Sequence, residues 1–162
     1  MDWMDRDNEL YGLFGSAPPA PRRPGARLQQ MRKDFNQRIG DVRPMGGAMD
    51  LTGPARRRLR LMAYALVDQE NPPSVPLDIA TAFAEGLGHA VVHRSWDVTG
   101  TPEPLLRPGY EVVRRMITGG DCHGLVVEGR AHISDRDDLY ERELRYWGGL
   151  GVMVLLANPE RD

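Results

Sequence analysis

Three groups of residues in this chain have types and spacings that could carry chemistry. The first is Asp68, which follows the apolar run Leu61-Met-Ala-Tyr-Ala-Leu-Val67. A carboxylate at the carboxyl end of a buried strand stands where open α/β sheets keep their sites. The second is the stretch His132-Ile-Ser-Asp135 with Asp137 and Asp138 behind it. Together with Asp68 these acids could hold a divalent cation, and Ser134 or Thr99 could offer a nucleophilic hydroxyl. Simpler physics covers both features: acids in a helix's first turn answer its dipole, and such hydroxyls ordinarily close turns and caps. No metal and no cofactor are therefore expected. The third group is cationic, with Arg56, Arg57, Arg58 and Arg60 beside the apolar run. Guanidinium groups suit phosphate oxygens, so these four are candidate DNA-binding residues, weighed against a solvated charge run at a domain edge.

Other motifs carry less. His89 and His93 read as strand-edge histidines. Gly148-Gly149-Leu150-Gly151 follows a helical pattern and precedes a strand pattern, the reverse of a phosphate-binding loop, so it reads as a helix stop. The chain has no Walker-type glycine-lysine loop and no Gly-x-Ser-x-Gly elbow. Cys122 is the single cysteine, which excludes an internal disulfide and argues against a cysteine-based zinc site. No apolar run reaches the ~18 residues of a membrane span, and the start, Met1-Asp-Trp-Met-Asp5, lacks the basic and apolar regions of a signal peptide. A cytoplasmic protein is expected.

The elements that must position these residues follow from periodicity. The run from Arg60 to Gln69 is the first strand. Pro76 opens a helix with Ile79, Phe83 and Leu87 on one face, and His89–Trp96 is a second strand. Asp97–Leu106 is a loop. Arg107-Pro108 begins a second helix, buried through Val112, Val113, Met116 and Ile117 and closed by Gly119-Gly120. His123–Glu128 is the third strand. Asp135 is expected to cap a third helix whose Tyr140, Leu144 and Trp147 face the sheet, and Gly151–Ala157 is the fourth strand. Right-handed crossovers turn this alternation into a doubly wound, mostly parallel α/β sheet of about four strands, for which the order 2-1-3-4 is assumed. The switch point then brings Asp68 opposite Glu128–Arg130.

Ahead of this domain, residues 1–60 hold 12 Arg/Lys against 7 Asp/Glu, while the remaining 102 residues hold 9 against 16. Residues 1–58 read as a flexible, Pro/Gly/Arg-rich basic arm and residues 59–162 as the domain. Within the arm, Trp3–Phe14 mixes acids with large apolar residues and could dock on a protein partner. Ser16–Arg27 holds four prolines and reads as an extended linker. Leu28, Met31, Phe35 and Ile39 share one face of a short basic helix that could meet nucleic acid or the domain, with Arg32, Lys33 and Arg38 elsewhere on the wheel. It is expected to be marginally ordered.

Several of these segments, in order, resemble the catalytic domain of the resolvase/invertase family of serine recombinases. They are Tyr64-Ala-Leu-Val-Asp68, Asp97-Val-Thr-Gly100, Arg107-Pro-Gly-Tyr110, and Leu125-Val-Val127 leading into Ala131-His-Ile-Ser-Asp135. The resemblance spans Arg60 to Asn158, and it implies a nucleophilic serine after the first strand with arginines around the DNA phosphate. The family's Tyr-x-Arg-x-Ser appears here with Leu66 and Asp68 at its last two defined positions. Its Leu-Asp-Arg-Leu-x-Arg appears with Ala131 for the acid and His132 and Asp135 for the arginines. Of the principal phosphate-binding arginines only Arg107 matches, so the resemblance adds Arg107 as a fifth candidate DNA-binding residue. A carboxylate in the nucleophile's place repels phosphate, so no catalytic residue is expected among Leu66, Asp68, Arg107, His132 and Asp135. The chain ends soon after the fourth strand, so the family's long helix and helix-turn-helix module are not expected either. The reading is an inactive, resolvase-like accessory module, associated with DNA through its basic arm or with a protein through Trp3–Phe14. The alternatives are an active recombinase subunit and a pure protein adaptor, and oligomerisation is left open.

Overall fold

The computed structural model describes residues 24–41, 58–99 and 101–160. Its centre is a sheet of four parallel strands: β1 (Arg60–Val67), β2 (Ala90–Val98), β3 (Gly124–Val127) and β4 (Met153–Leu156). They lie in the order β2-β1-β3-β4, one of the orders that right-handed crossovers allow and the one assumed above. β1 is buried along nearly its whole length because it is central and covered on both faces. Its alternate residues serve two cores. Leu61, Ala63, Ala65 and Val67 meet helix α2 (Ser74–Gly86), while Met62 and Tyr64 meet α3 (Pro108–Thr118) and α4 (Asp137–Gly149).

Helix α2 approaches the sheet through small residues. Pro76, Leu77, Ala80 and Ala84 are buried, whereas Ile79 and Leu87, expected on the inner face, are exposed. Ala80 and Ala84 let the helix sit close, and that rotation turns the larger side chains outward. In α3, Val113 and Ile117 are buried as expected, but Val112 is exposed. Tyr140, Leu144 and Trp147 of α4 are buried as expected. Its N-cap is Arg136 rather than Asp135, because the Ser134 hydroxyl accepts the Arg136 N–H at 3.1 Å and ends the preceding turn there. β2 continues through Val98, so Asp97 belongs to the strand rather than to the loop.

The largest departure from expectation concerns the arm. Residues 24–41 form an 18-residue helix, α1, packed against α4 and the β4 edge. Leu28 is fully buried, and Met31 and Phe35 pack on the same core. Arg32, expected elsewhere on the wheel, is also inward: its Nε donates to Glu160 at 2.6 Å and its Nη1 to the Val154 carbonyl at 3.2 Å. Spacing explains this, since Arg32 lies four residues after Leu28 and four before Asn36. Asn36 then behaves like a missing strand neighbour, donating to Val154 O at 2.9 Å and accepting from Val154 N–H at 3.2 Å. A polar side chain so placed closes a sheet edge that would otherwise be free to pair. The flexible arm expected over residues 1–58 is thus corrected for 24–41, while 1–23 and 42–57 lie outside the described residues.

Glu160 ties this helix to the end of the chain. Burial raises its carboxyl pKa, but hydrogen bonds from Arg32 and Tyr140 and the Arg32 charge outweigh burial and hold it below its ordinary 4.5. A depressed folded value means stability that is complete above about pH 4.5 and is lost as pH falls through the folded value. Acidification through that window is expected to loosen α1 before the sheet. Hydrogen exchange of residues 24–41 against β1 amides, followed from pH 6 downward, checks the order; simultaneous loss would contradict it.

Candidate functional site

The carboxyl ends of β1, β2 and β3 open into two adjoining clefts of about 350 and 450 Å³ that share Leu66, Thr99 and His132. This is the switch-point crevice. Asp68, Asn71, Val75 and Glu128 line one side, and Thr101, Arg107, Ala131 and Asp135 line the other.

Each polar side chain here has a local task. Asp68 Oδ1 accepts the backbone N–H of Glu70 at 3.1 Å and of Asn71 at 2.9 Å, and the Asn71 amide reaches both carboxylate oxygens. This is an Asx turn that reverses the chain after β1. His132 accepts the Leu66 N–H on Nδ1 at 3.0 Å, which places the proton of the neutral ring on Nε2, 3.2 Å from Glu128 Oε2. The imidazole therefore links β1 to the turn after β3. Ser134, 2 % exposed, closes a turn, as expected of a hydroxyl in that position. Among the described residues, no group of three or more His, Cys, Asp or Glu side chains is placed to share a metal ion.

Arg107 is only 2 % exposed. Its guanidinium donates to the carbonyls of Thr101 at 2.8 Å, Pro102 at 3.0 Å, His132 at 3.1 Å and Ile133 at 2.9 Å. Four of its five N–H groups are spent on fastening the β2–α3 loop to the turn after β3. Arg130 is similarly engaged, with the carbonyls of Ser134 and Asp135, the Asp137 carboxylate at 2.8 Å and the Tyr140 ring. The carboxylates of Asp68, Glu128 and Asp135 line the crevice beside His132 and the already bonded guanidinium of Arg107.

The other candidate cations lie elsewhere. Arg58 and Arg60 are exposed at the amino end of β1, about 25 Å from Asp68 along an eight-residue strand. Arg56 and Arg57 lie outside the described residues, as does the Trp3–Phe14 segment. Arg58 and Arg60 are therefore far from the family-equivalent positions Leu66, Asp68, Arg107, His132 and Asp135, which the structure does gather at one end of the sheet. His89 accepts the Leu59 N–H at 3.1 Å, and burial lowers its pKa, as befits a histidine with a structural hydrogen bond. The Cys122 thiol is buried and its pKa raised by that burial. No helix among the described residues is long and apolar enough to cross a membrane.

Two supporting networks escaped the sequence reading. Asp97, at the end of β2, accepts the N–H groups of Gly109 at 2.8 Å and Tyr110 at 2.9 Å, and the Tyr64 hydroxyl at 2.9 Å. It caps α3 from another element, and Tyr64's pKa is raised by burial and by this bond. Glu143, fully buried, takes the Tyr110 hydroxyl at 2.9 Å, Arg114 at 2.9 Å and Arg142 at 3.1 Å, joining α3 to α4. Its signal was present, since Glu143 shares the inner face of α4 with Tyr140, Leu144 and Trp147.

A four-stranded parallel sheet in the order 2-1-3-4, with its crevice over β1 and β3, is an open α/β sheet with a switch-point site. Among solved structures, the chain is similar to the C-terminal catalytic domain of ISC1926 TnpA, an IS607-like serine recombinase. That match has 18% identity and a TM-score of 0.52, over 62% of this chain and 71% of that one. It is also similar to the N-terminal catalytic domain of TP901-1 integrase, at 17% identity and a TM-score of 0.50, over 61% of this chain and 77% of that one. At such identities the likeness establishes the fold. No family model and no curated protein matches the sequence.

Proposed function

We propose that this chain is a resolvase-like module that does not transfer DNA strands and acts as an accessory protein. One observation carries the reading: the crevice of a serine-recombinase fold here presents Asp68, Glu128 and Asp135, while Arg107 and Arg130 are spent on internal partners. Phosphodiester transfer needs the opposite, a hydroxyl in line with the phosphorus and cations on the non-bridging oxygens. Asp68, already holding a turn, supplies repulsion instead. Affinity for DNA in this reading comes from Arg56, Arg57, Arg58 and Arg60 as a sequence-indifferent electrostatic contact, of which Arg58 and Arg60 stand exposed at the amino end of β1.

The test uses the full chain, because deleting residues 1–58 would also remove α1 and strip the β4 edge. Incubation with nicked duplexes bearing candidate crossover sequences is expected to trap no protein-linked DNA end. Duplex binding is expected to weaken with salt, with a log–log slope of about −0.9 per phosphate contact. Changing the four arginines together to alanine should lower affinity and flatten that slope. A covalent adduct abolished by Asp68→Ala or Arg107→Ala would establish an active recombinase subunit instead. Absence of any salt-dependent DNA binding would leave the fold as a protein adaptor and overturn the DNA-associated version.

A further inference from the structure

The docked helix α1 creates a surface that the crevice-centred reading does not use. Between α1 and α4 runs a groove of about 400 Å³, lined by Met31 and Phe35, by Arg27, Arg38 and Arg145, and by Gln30 and Asp34, with Glu141 behind Arg27 and Arg145. Arg27 and Arg145 both reach Glu141, whose pKa falls to about 2 through hydrogen bonds from Arg27 and then Arg145. Two guanidinium groups thus converge on one carboxylate, Arg145 is 62 % exposed at its side chain, and Arg38 is exposed beside them. The surface is a mixed groove, apolar at Met31 and Phe35, with three guanidinium groups against the two carboxylates of Asp34 and Glu141. It fits a segment that alternates acids with large apolar residues.

The chain carries such a segment. Between Asp2 and Phe14 lie Asp2, Asp5, Asp7 and Glu9 against Arg6, interleaved with Trp3, Met4, Leu10, Tyr11, Leu13 and Phe14. We propose that this acidic, aromatic N-terminal segment of the same chain docks into the basic α1–α4 groove. The segment's four acids against one arginine meet a groove with three arginines against two acids, and its aromatic residues meet Met31 and Phe35.

Reach permits it. Nine residues, Gly15–Arg23, join Phe14 to Pro24 at the head of α1. Fully extended they span at most about 30 Å, whereas Arg27 to Arg38 along α1 is about 16 Å. The segment can therefore turn back and lie alongside α1 over the whole groove. A tether of this length raises the local concentration to about the millimolar range, so contacts too weak to hold a separate peptide suffice in cis. Docked in this way, the segment would cover Arg27, Arg38 and Arg145 and occupy the acidic-aromatic stretch otherwise available to a partner protein. The inference stands apart from DNA association and is tested without DNA.

The experiment is disulfide trapping in the full chain. Asn8→Cys is paired with Gln30→Cys in the groove, or with Ala82→Cys, which is exposed on α2 across the sheet. Buried Cys122 is retained, and oxidised glutathione serves as oxidant. The Asn8–Gln30 pair is expected to close within one chain about ten-fold faster than the Asn8–Ala82 pair, with the added Arg38→Glu and Arg145→Glu changes or 1 M salt removing most of that advantage. Circular dichroism of each variant confirms that the fold persists. Equal rates for the two pairs would overturn the proposal. So would a product of twice the chain mass, which would place a second copy's segment in the groove.

Discussion

Gly109→Ala is expected to lower the thermal midpoint by on the order of 10 °C, from a stability loss of about 2–3 kcal/mol. A Cβ at this position would stand 2.3 Å from the Trp96 carbonyl oxygen and 2.8 Å from Asp97 Oδ2. Neither neighbour is free to yield. Trp96 is part of β2, and Asp97 is held by three donors from Tyr64, Gly109 and Tyr110. On its other side Gly109 gives its carbonyl to the Ser95 hydroxyl at 2.8 Å, so the first turn of α3 is fixed against the strand from two directions. Relief requires moving the helix start, which drags Arg107 and its four carbonyl contacts with it. Denaturant unfolding of the variant and of Gly86→Ala, where an added Cβ meets nothing within 4 Å, separates this steric effect from the general effect of glycine replacement. Equal stability of the two variants would refute the close approach.

The second large effect is expected at Arg32. Replacing it with methionine leaves the Glu160 carboxylate, whose side chain is fully buried, facing Tyr140 alone. Removing one partner of a buried pair costs about 3–5 kcal/mol, because the remaining charge is neither solvated nor paired. The loss should appear first in α1: hydrogen exchange across residues 24–41 accelerates, and so does the Val154 amide that Asn36 shields. Adding Glu160→Leu removes the stranded charge and should recover much of the stability. Tyr140 then lacks an acceptor, at a cost of about 1–3 kcal/mol that Tyr140→Phe should partly relieve. If Arg32→Met alone costs under about 1 kcal/mol, the docking of α1 is not held as described.

The two predictions differ in how far they could have been read from the chain. Gly109 stands in the Arg107-Pro-Gly-Tyr110 segment that carried the family resemblance, so its importance was visible while its cause was not. The cause is a meeting of β2 with the head of α3, twelve residues after Asp97. Arg32 had the opposite fate. Its helix was legible from Leu28, Met31, Phe35 and Ile39, yet placing it on the domain required knowing that β4 has an open edge and that Glu160 follows it. The α2 face was misjudged for a related reason: periodicity finds an apolar stripe but does not weigh Ile79 and Leu87 against the close approach that Ala80 and Ala84 permit.

The sequence by itself determined the alternation of strands and helices, the parallel sheet, and Asp68's place at the carboxyl end of the first strand. Those follow from periods of two and 3.6 residues and from the handedness of crossovers, which are local rules, whereas the order 2-1-3-4 was assumed and the structure supplied it. The tertiary structure alone decided that Arg107 grips four carbonyls, that His132 accepts from Leu66, and that α1 seals the sheet. A side chain's type says what it can bond; its partners here come from distant loops and edges, and only folding brings those within 3 Å.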